Sequence, residues 1–230
     1  MSEVANGVVG TDAEIAVLPS GTGQDFGRTH GIPSRFDDAV RVALGGGTRT
    51  IDLGRVELQN GTTHVFVNVA SAGMSGAVAR RANAMTKALG GRATFFYALA
   101  REFLAWQNTR VVVELAEGER REGPMHDVIV ANGRFHGGGM KLAPDARQDD
   151  GAFDVVTIGD VTKLDFMTTA PTLYSGRYLS HPKVELMRSS SVSIRSDAPL
   201  PLEIDGEPIG TTPARFDVLP SALRLRVPAA

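Results

Sequence analysis

The sequence contains no cysteine. This excludes disulfide scaffolds, cysteine-ligated zinc sites, iron–sulfur clusters and thiol nucleophiles. It also has no excess of positive charge: 24 Lys and Arg against 26 Asp and Glu give a net charge of -2, so nucleic acid is not an expected partner. Long hydrophobic runs are missing too. The most apolar helical stretch, residues 94–107, contains Arg101 and Glu102 and is shorter than the ~20 residues of a membrane span.

The first residues lack the basic region and apolar segment of a signal peptide, so we expect a cytoplasmic protein, with peripheral membrane contact left open. The 230 residues are 42% hydrophobic and 22% charged, which is ordinary for a globular protein. Glycine is abundant, with 26 residues. Such an excess indicates many turns, or backbone that comes close to a ligand.

Hydrophobic periodicity predicts a short α/β segment followed by a strand-rich, mostly antiparallel body, with the best boundary at residues 45–48. Ser34 and Asp37 have capping-box spacing, Gly54 marks an expected bulge, and Asn60-Gly61 is a hairpin signal. Helices are predicted at 2–9, 33–44, 75–89 and 94–107 and partly at 164–179. Strands are predicted at 15–18, 51–58, 65–69, 110–115, 127–131, 152–158, 184–187, 192–195, 202–204, 214–218 and 223–227.

Several common catalytic patterns are missing. The five histidines show no HExxH or other close metal spacing, and there is no GxxxxGK[ST] phosphate loop. The glycine-rich segment 21–26 lacks the third glycine of a dinucleotide-binding fingerprint. Residues 73–76 (GMSG) are not a nucleophile elbow, and Arg147 occupies a ligand position that a calcium loop needs.

Three constellations remain. The first is the glycine-rich turn 19–28 (PSGTGQDFGR), which lies between a predicted strand and a helix start. Backbone N–H groups in such a turn can hold phosphate oxygens, although a tight connection is the simpler interpretation. The second combines 132–140 (NGRFHGGGM) with the acidic loop 145–154, whose carboxylates and carbonyls suit a hard cation, or simply form a long loop.

The third constellation is 202–207 (LEIDGE). Asp-Gly between strands is usually a hairpin turn. Its functional interpretation is a pair of carboxylates at a strand end, of which one accepts a proton from an attacking hydroxyl while the other orients it or binds metal.

Taken in this order, the three constellations resemble the diacylglycerol kinase catalytic superfamily, and in particular its bacterial lipid kinase branch, which is related to sphingosine kinases and NAD kinases. Segment 21–28 is similar to the family motif GTGNDFAR, with Gln24 and Gly27 as departures. Asp205-Gly206-Glu207 is similar to the family motif DGE. Asn132, the glycines at 137–139 and the loop at 149–151 match the middle block. The resemblance covers almost the whole chain.

The family phosphorylates a lipid hydroxyl with ATP and Mg²⁺. The resemblance implies that Asp205 is the general base, with Glu207 as its catalytic neighbour. It implies that nucleotide-binding residues line the cleft: Gly21, Thr22, Gly23, Asp25, Arg28 and Asp52. For a structural Mg²⁺ it implies the side chain of Asp150 and the carbonyls of Arg147 and Ala152.

The implied fold is α/β plus β: an incomplete NAD-kinase-like α/β nucleotide domain at 1–48, then a mostly antiparallel β-sandwich-like domain at 49–218. The last strand, within 219–230, is expected to return to the first domain. In the family a GGDGT loop immediately precedes the segment at 3–7, so we expect this chain to be N-terminally truncated, through a late start codon or as a natural short form.

Three functions follow. The first is an ATP-dependent lipid kinase acting at a membrane surface on a diacylglycerol-like or sphingosine-like hydroxyl, with activity of the truncated chain left open. The second is a non-catalytic lipid-binding or regulatory remnant, and the third is a kinase of a soluble alcohol. A homodimer is compatible with each. An aromatic stripe fits either a lipid pocket or ordinary core: Phe95, Phe96, Leu99, Phe103, Leu104 and Trp106.

Overall fold

Two antiparallel sheets that pack face to face form the body of the structure, a computed structural model that describes residues 1–20, 24–85 and 91–229. The first sheet has seven strands in the order β3-β2-β15-β12-β5-β6, with β1 added in parallel to β15. The second has six strands in the order β11-β10-β7-β4-β13-β14. A two-stranded sheet, β8-β9, lies apart from them.

The strands are β1 (Glu14–Ile15), β2 (Gly47–Leu58), β3 (Thr63–Phe66), β4 (Val69–Gly73), β5 (Thr109–Leu115), β6 (Arg120–Met125), β7 (Asp127–Ala131), β8 (Phe135–His136), β9 (Met140–Lys141), β10 (Phe153–Ile158), β11 (Val184–Ser189), β12 (Ser191–Ser196), β13 (Pro201–Ile204), β14 (Glu207–Thr211) and β15 (Ala214–Val227). The helices are α1 (Ser2–Val8), α2 (Asp25–Thr29), α3 (Phe36–Gly45), α4 (Met74–Ala84), α5 (Gly91–Ala105) and α6 (Lys163–Thr169). Two 3-10 helices, Ala170–Tyr174 and Arg177–Ser180, follow α6.

The main hydrophobic core lies between the two large sheets. Val113, Ile194 and Phe216 come from the seven-stranded sheet, and Val155 and Leu202 come from the six-stranded one. Strand alternation produces this core, since every second side chain of each strand points inward. The β-sandwich-like body predicted from the sequence is therefore confirmed.

A second core joins the first residues of the chain to its last strand. Ala5 of α1, Ile15 of β1 and Phe26 of α2 pack with Ile51 and Leu225. In register, Ile15 lies beside Leu225 in the parallel pair β1–β15. The N-terminal segment thus packs on the first half of β2 and on the last residues of β15.

Four local predictions were wrong. Gly54 is not at a bulge: β2 runs unbroken, and the register shifts on β15 between Leu219 and Leu223. The capping box of α3 does not form, because its N-cap is Arg35 and no side chain caps it. The strand at 15–18 is reduced to Glu14–Ile15, and the two strands at 214–218 and 223–227 are one continuous strand.

The prediction missed β6, β14, the two-residue strands β8 and β9, and all of β4 after Val69. β6 and β14 lack an apolar run: their sequences are RREGPM and EPIGT. None of the helices in the described residues is long and apolar enough to cross a membrane.

Candidate active site

The turn that carries Asp205 is anchored on the loop between β3 and β4. The Asp205 carboxylate accepts hydrogen bonds from three successive backbone N–H groups, those of Val67 (2.9 Å), Asn68 (3.0 Å) and Val69 (3.0 Å). The hydroxyl of Ser2 donates a fourth, at 2.5 Å. A carboxylate has about four lone-pair positions, so these donors occupy them all. Only the Ser2 hydroxyl is a side-chain donor.

The other predicted catalytic carboxylate lies outside this network. Glu207 is exposed at the start of β14, where it pairs with Ile204. The carboxylate that does contact the turn is Glu203, whose Oε2 accepts the Gly206 N–H at 2.6 Å. Glu203 is 1% exposed, and its Oε1 accepts the Ser71 hydroxyl at 2.8 Å. Burial raises the pKa of Glu203, while nearby His136 acts to lower it.

The first and second constellations meet at residues 137–139, which we call the glycine loop. The Gly138 N–H donates to Asp25 Oδ2 at 2.7 Å, and Asp25 Oδ1 pairs with Arg28 at 2.5 Å. The Arg28 guanidinium lies 5.6 Å from the centre of the Phe135 ring. Gly138 has φ +85°, a left-handed conformation that glycine adopts without steric cost. The predicted phosphate-binding residues Gly21, Thr22 and Gly23 lie outside the described residues.

Asn68 connects this loop to the Asp205 turn. Its backbone N–H donates to Asp205, and its side chain donates to the Phe135 carbonyl at 2.5 Å. The chain of contacts thus runs from Asp205 through Asn68 to β8 and then, through Gly138, to Asp25. Described residues from each of the three constellations thus belong to one network of contacts.

In this structure the Asp52 carboxylate binds backbone N–H groups and does not line an open cleft. Its Oδ1 accepts the Ser221 N–H at 2.7 Å and its Oδ2 accepts the Gly151 N–H at 2.9 Å. Only 5% of the residue is exposed. Asp52 therefore ties β2 to the irregular part of β15 and to the acidic loop.

The predicted metal loop is held by an arginine that the sequence analysis missed. Arg188 of β11 pairs with Asp150 at 2.5 Å and with Asp154 at 3.3 Å. Arg147 pairs with Asp149 at 3.1 Å. Burial raises the pKa of Asp154, and Arg188 opposes that shift.

The oxygen chemistry of the predicted ligands suits Mg²⁺, which takes one or two carboxylates and fills its other positions with carbonyls or water. The described residues contain no group of three or more His, Asp or Glu side chains arranged for a metal. A Mg²⁺ held by the predicted ligands would therefore depend on the main-chain oxygens of Arg147 and Ala152, and it would share Asp150 with Arg188.

Sequence reasoning did not single out Glu203, Ser71 or His136. Glu203 is a charged residue between Leu202 and Ile204, and alternation alone gives it an outward direction, as for any solvent-facing strand residue. What buries it is β8 and α4 packing on the outer face of the six-stranded sheet, a tertiary feature. The one local signal was its position two residues before Asp205.

With this geometry in place, the comparisons with known proteins decide the family. Residues 68–227 match the YegS C-terminal NAD kinase beta sandwich-like domain, and residues 1–56 match the diacylglycerol kinase catalytic domain. The chain belongs to the bacterial lipid kinases of the diacylglycerol kinase superfamily. The predicted resemblance to this branch is thereby confirmed.

Individual relatives agree. A diacylglycerol kinase of Mycobacterium tuberculosis is 28% identical over 222 residues, which cover 96% of this chain and 71% of the relative. A Pseudomonas aeruginosa protein named "Probable lipid kinase YegS-like" is 35% identical over 222 residues, covering 95% of this chain and 69% of the relative.

Solved structures share the fold of this chain. A crystal structure of a diacylglycerol kinase from Bacillus anthracis has a TM-score of 0.67 at 17% identity and covers 95% of this chain and 68% of its own. Another from the same organism has a TM-score of 0.75 at 20% identity, covering 98% and 73%. At such identities the likeness supports the fold alone.

Proposed function

We propose that this chain catalyses ATP-dependent transfer of a phosphoryl group to the hydroxyl of a diacylglycerol-like or sphingosine-like lipid. One observation carries the proposal beyond family membership: the Asp205 carboxylate already accepts the O–H of a hydroxyl, that of Ser2. An acceptor alcohol in the place of Ser2 would have its proton aimed at the same oxygen. The three backbone donors would keep the carboxylate fixed while this exchange occurs.

In the proposed reaction Asp205 takes the proton of the acceptor hydroxyl. The alcohol oxygen forms a bond to the γ-phosphorus, the bond from that phosphorus to the β–γ bridging oxygen breaks, and ADP leaves. Asp25, which binds the glycine loop through Gly138, and its ion-pair partner Arg28 would then serve the nucleotide side. Asp150, with the carbonyls of Arg147 and Ala152, would hold Mg²⁺, which supplies positive charge to the acidic loop.

Exposed apolar side chains favour a lipid acceptor over a soluble one. Phe96 (58% exposed) and Leu104 (66%) on α5 and Leu164 (71%) and Met167 (64%) on α6 are all exposed. The two helices contact each other through Phe103 and Phe166, whose ring centres are 4.9 Å apart. The aromatic stripe of the sequence thus divides: Leu99, Phe103 and Trp106 pack inward, whereas Phe95, Phe96 and Leu104 are exposed.

The experiment is phosphoryl transfer from labelled ATP by the 230-residue chain to diacylglycerol or sphingosine in phospholipid vesicles, and to glycerol in solution. We expect labelled lipid, little labelled glycerol and co-sedimentation with the vesicles. Asp205→Asn should lower kcat by a factor of about 100 or more, as expected for loss of a general base.

Asp217→Asn is the matched control, since that carboxylate also accepts a serine hydroxyl, from Ser191 at 2.8 Å, but lies on β15 within the sandwich sheet. It should retain wild-type kcat. Absence of transfer to every acceptor, or an Asp205→Asn variant as active as Asp217→Asn, would overturn the proposed function. Vesicle binding without transfer would instead support a lipid-binding protein.

A further inference from the structure

The proposed reaction makes no use of Glu203, yet this is one of the most deeply buried ionisable groups described. Its side chain lies on the face of the six-stranded sheet opposite the sandwich core, next to Ser71, its cross-strand partner on β4. Burying a carboxylate is costly unless it is paired and hydrogen-bonded. The presence of a buried carboxylate next to the Asp205 turn is explained if Glu203 is needed to hold the turn in its conformation.

The turn has the backbone pattern of a type I′ hairpin turn. Asp205 has φ +49° and Gly206 has φ +90°, so both central residues are left-handed, which Asp-Gly tolerates well. Glu203 stabilises this turn directly, because its Oε2 accepts the Gly206 N–H at 2.6 Å. In this conformation the Asp205 carboxylate reaches the N–H groups of Val67, Asn68 and Val69.

The other oxygen of Glu203 extends the same support to the nucleotide side. His136 Nε2 lies 3.4 Å from Glu203 Oε1 and forms an ion pair with it whenever the imidazole is protonated. His136 immediately precedes the glycine loop, where Gly138 binds Asp25. One buried carboxylate therefore contacts both the turn of the proposed general base and the strand that leads to the loop on Asp25.

We propose that Glu203 is a positioning residue that holds the Asp205–Gly206 turn, and with it the Asp205 carboxylate, in place against the 67–69 backbone. The kinetic part of this inference rests on the proposed function. Its structural part is independent of it, since the hydrogen bonds of the turn can be followed in a protein that transfers no phosphate.

The test is Glu203→Gln, followed by amide hydrogen exchange in NMR spectra and by kinetics. The glutamine oxygen can accept from Ser71 or from Gly206, not from both. We expect exchange at Val67, Asn68, Val69 and Gly206 to become roughly tenfold faster or more, while strand amides such as that of Ile194 change little. We expect kcat to fall about tenfold or more with KM for ATP unchanged, because misplacement of a catalytic group by about 1 Å has effects of this size.

Asp127→Asn is the matched control. Asp127 is also a wholly buried carboxylate of the six-stranded sheet, but it binds Ser75 at the start of α4 rather than the turn. It should leave the four amides and kcat close to wild type. Both variants remove a buried carboxylate from the same sheet, so equal effects in the two would overturn the positioning role.

Unchanged exchange at the four amides in Glu203→Gln would also overturn the proposal. If that variant does not fold, Ser71→Ala replaces it, since removing one hydroxyl frees Glu203 Oε1 with almost no change of volume, and the Gly206 amide should again exchange faster. If the wild-type chain transfers no phosphate, the proposed function fails, and the exchange data alone decide whether Glu203 holds the turn.

Discussion

Asp205 and Asp127 show how differently this fold surrounds two acids. Asp205 receives four hydrogen bonds from four separate residues. Asp127 receives hydrogen bonds only from Ser75, both on Oδ2, and its buried Oδ1 has no partner within the described part of the chain. Burial therefore dominates at Asp127 and raises its pKa to about 7. The contrast makes Asp205 a rigid acceptor and Asp127 a source of pH-dependent stability.

We predict that Asp127 makes the protein less stable as the pH rises. Unfolded, the carboxyl titrates near its ordinary value, so between about pH 4 and 7 the folded state holds a proton that the unfolded state releases. The free energy of unfolding then falls across this range by about 4 kcal/mol at most and is level above it. Asp127→Asn removes this dependence and should gain stability relative to wild type between pH 4.5 and 8.

Urea unfolding of both proteins at the two pH values measures the effect. The neighbouring His126, whose pKa burial lowers to about 4, works in the opposite direction, since its folded form resists protonation. It is present in both proteins and cancels in the comparison. A difference in unfolding free energy between them that is the same at pH 4.5 and pH 8 would contradict the prediction.

Among the elements, the sequence predicted best those whose pattern is local. The hairpin expected at Asn60-Gly61 forms, with residues 59–62 as its connection and Gly61 at φ +80°. The prediction from sequence failed where a residue on another element determines the local structure. Gly54 was predicted to lie at a bulge because glycine weakens a strand, whereas its role is to leave room for the ring of Phe66 on the adjacent strand. The same holds at the site, where Asp205 was predictable from its motif and the burial of Glu203 was not.

Gly54→Ala should accordingly destabilise the sandwich. A Cβ on Gly54 would lie 2.1 Å from Phe66 Cζ, and Phe66 cannot move aside because it is fully buried and stacks on Phe153 with ring centres 5.7 Å apart. Overpacking of this kind costs typically about 1–3 kcal/mol. The measurement is the urea midpoint. Gly47→Ala, on the same strand with nothing within 4 Å of the added carbon, should be neutral; equal midpoints for the two variants would contradict the argument.

At the scale of the whole molecule, two long strands join the two hydrophobic cores. Val56 of β2 and Phe216 of β15 belong to the sandwich core, while Ile51 and Leu225 of the same strands belong to the second core. The boundaries predicted at 48/49 and 218/219 fall inside these strands. The division into two domains stays a prediction. Because β2 and β15 are continuous through both cores, we expect the two cores to unfold together.

Leu225→Ala tests that cooperativity, with the only tryptophan as reporter. Leu225 is fully buried in the second core, and truncating such a side chain costs about 2–5 kcal/mol. Trp106 packs against the sandwich core instead. If the strands couple the cores, its fluorescence transition should shift to lower urea as far as it does in Ile194→Ala, whose side chain lies in the sandwich core itself. A Trp106 transition unmoved by Leu225→Ala, alongside a separate early transition in circular dichroism, would mean that the two cores unfold independently and that residues 1–48 with the end of β15 are a folding unit of their own.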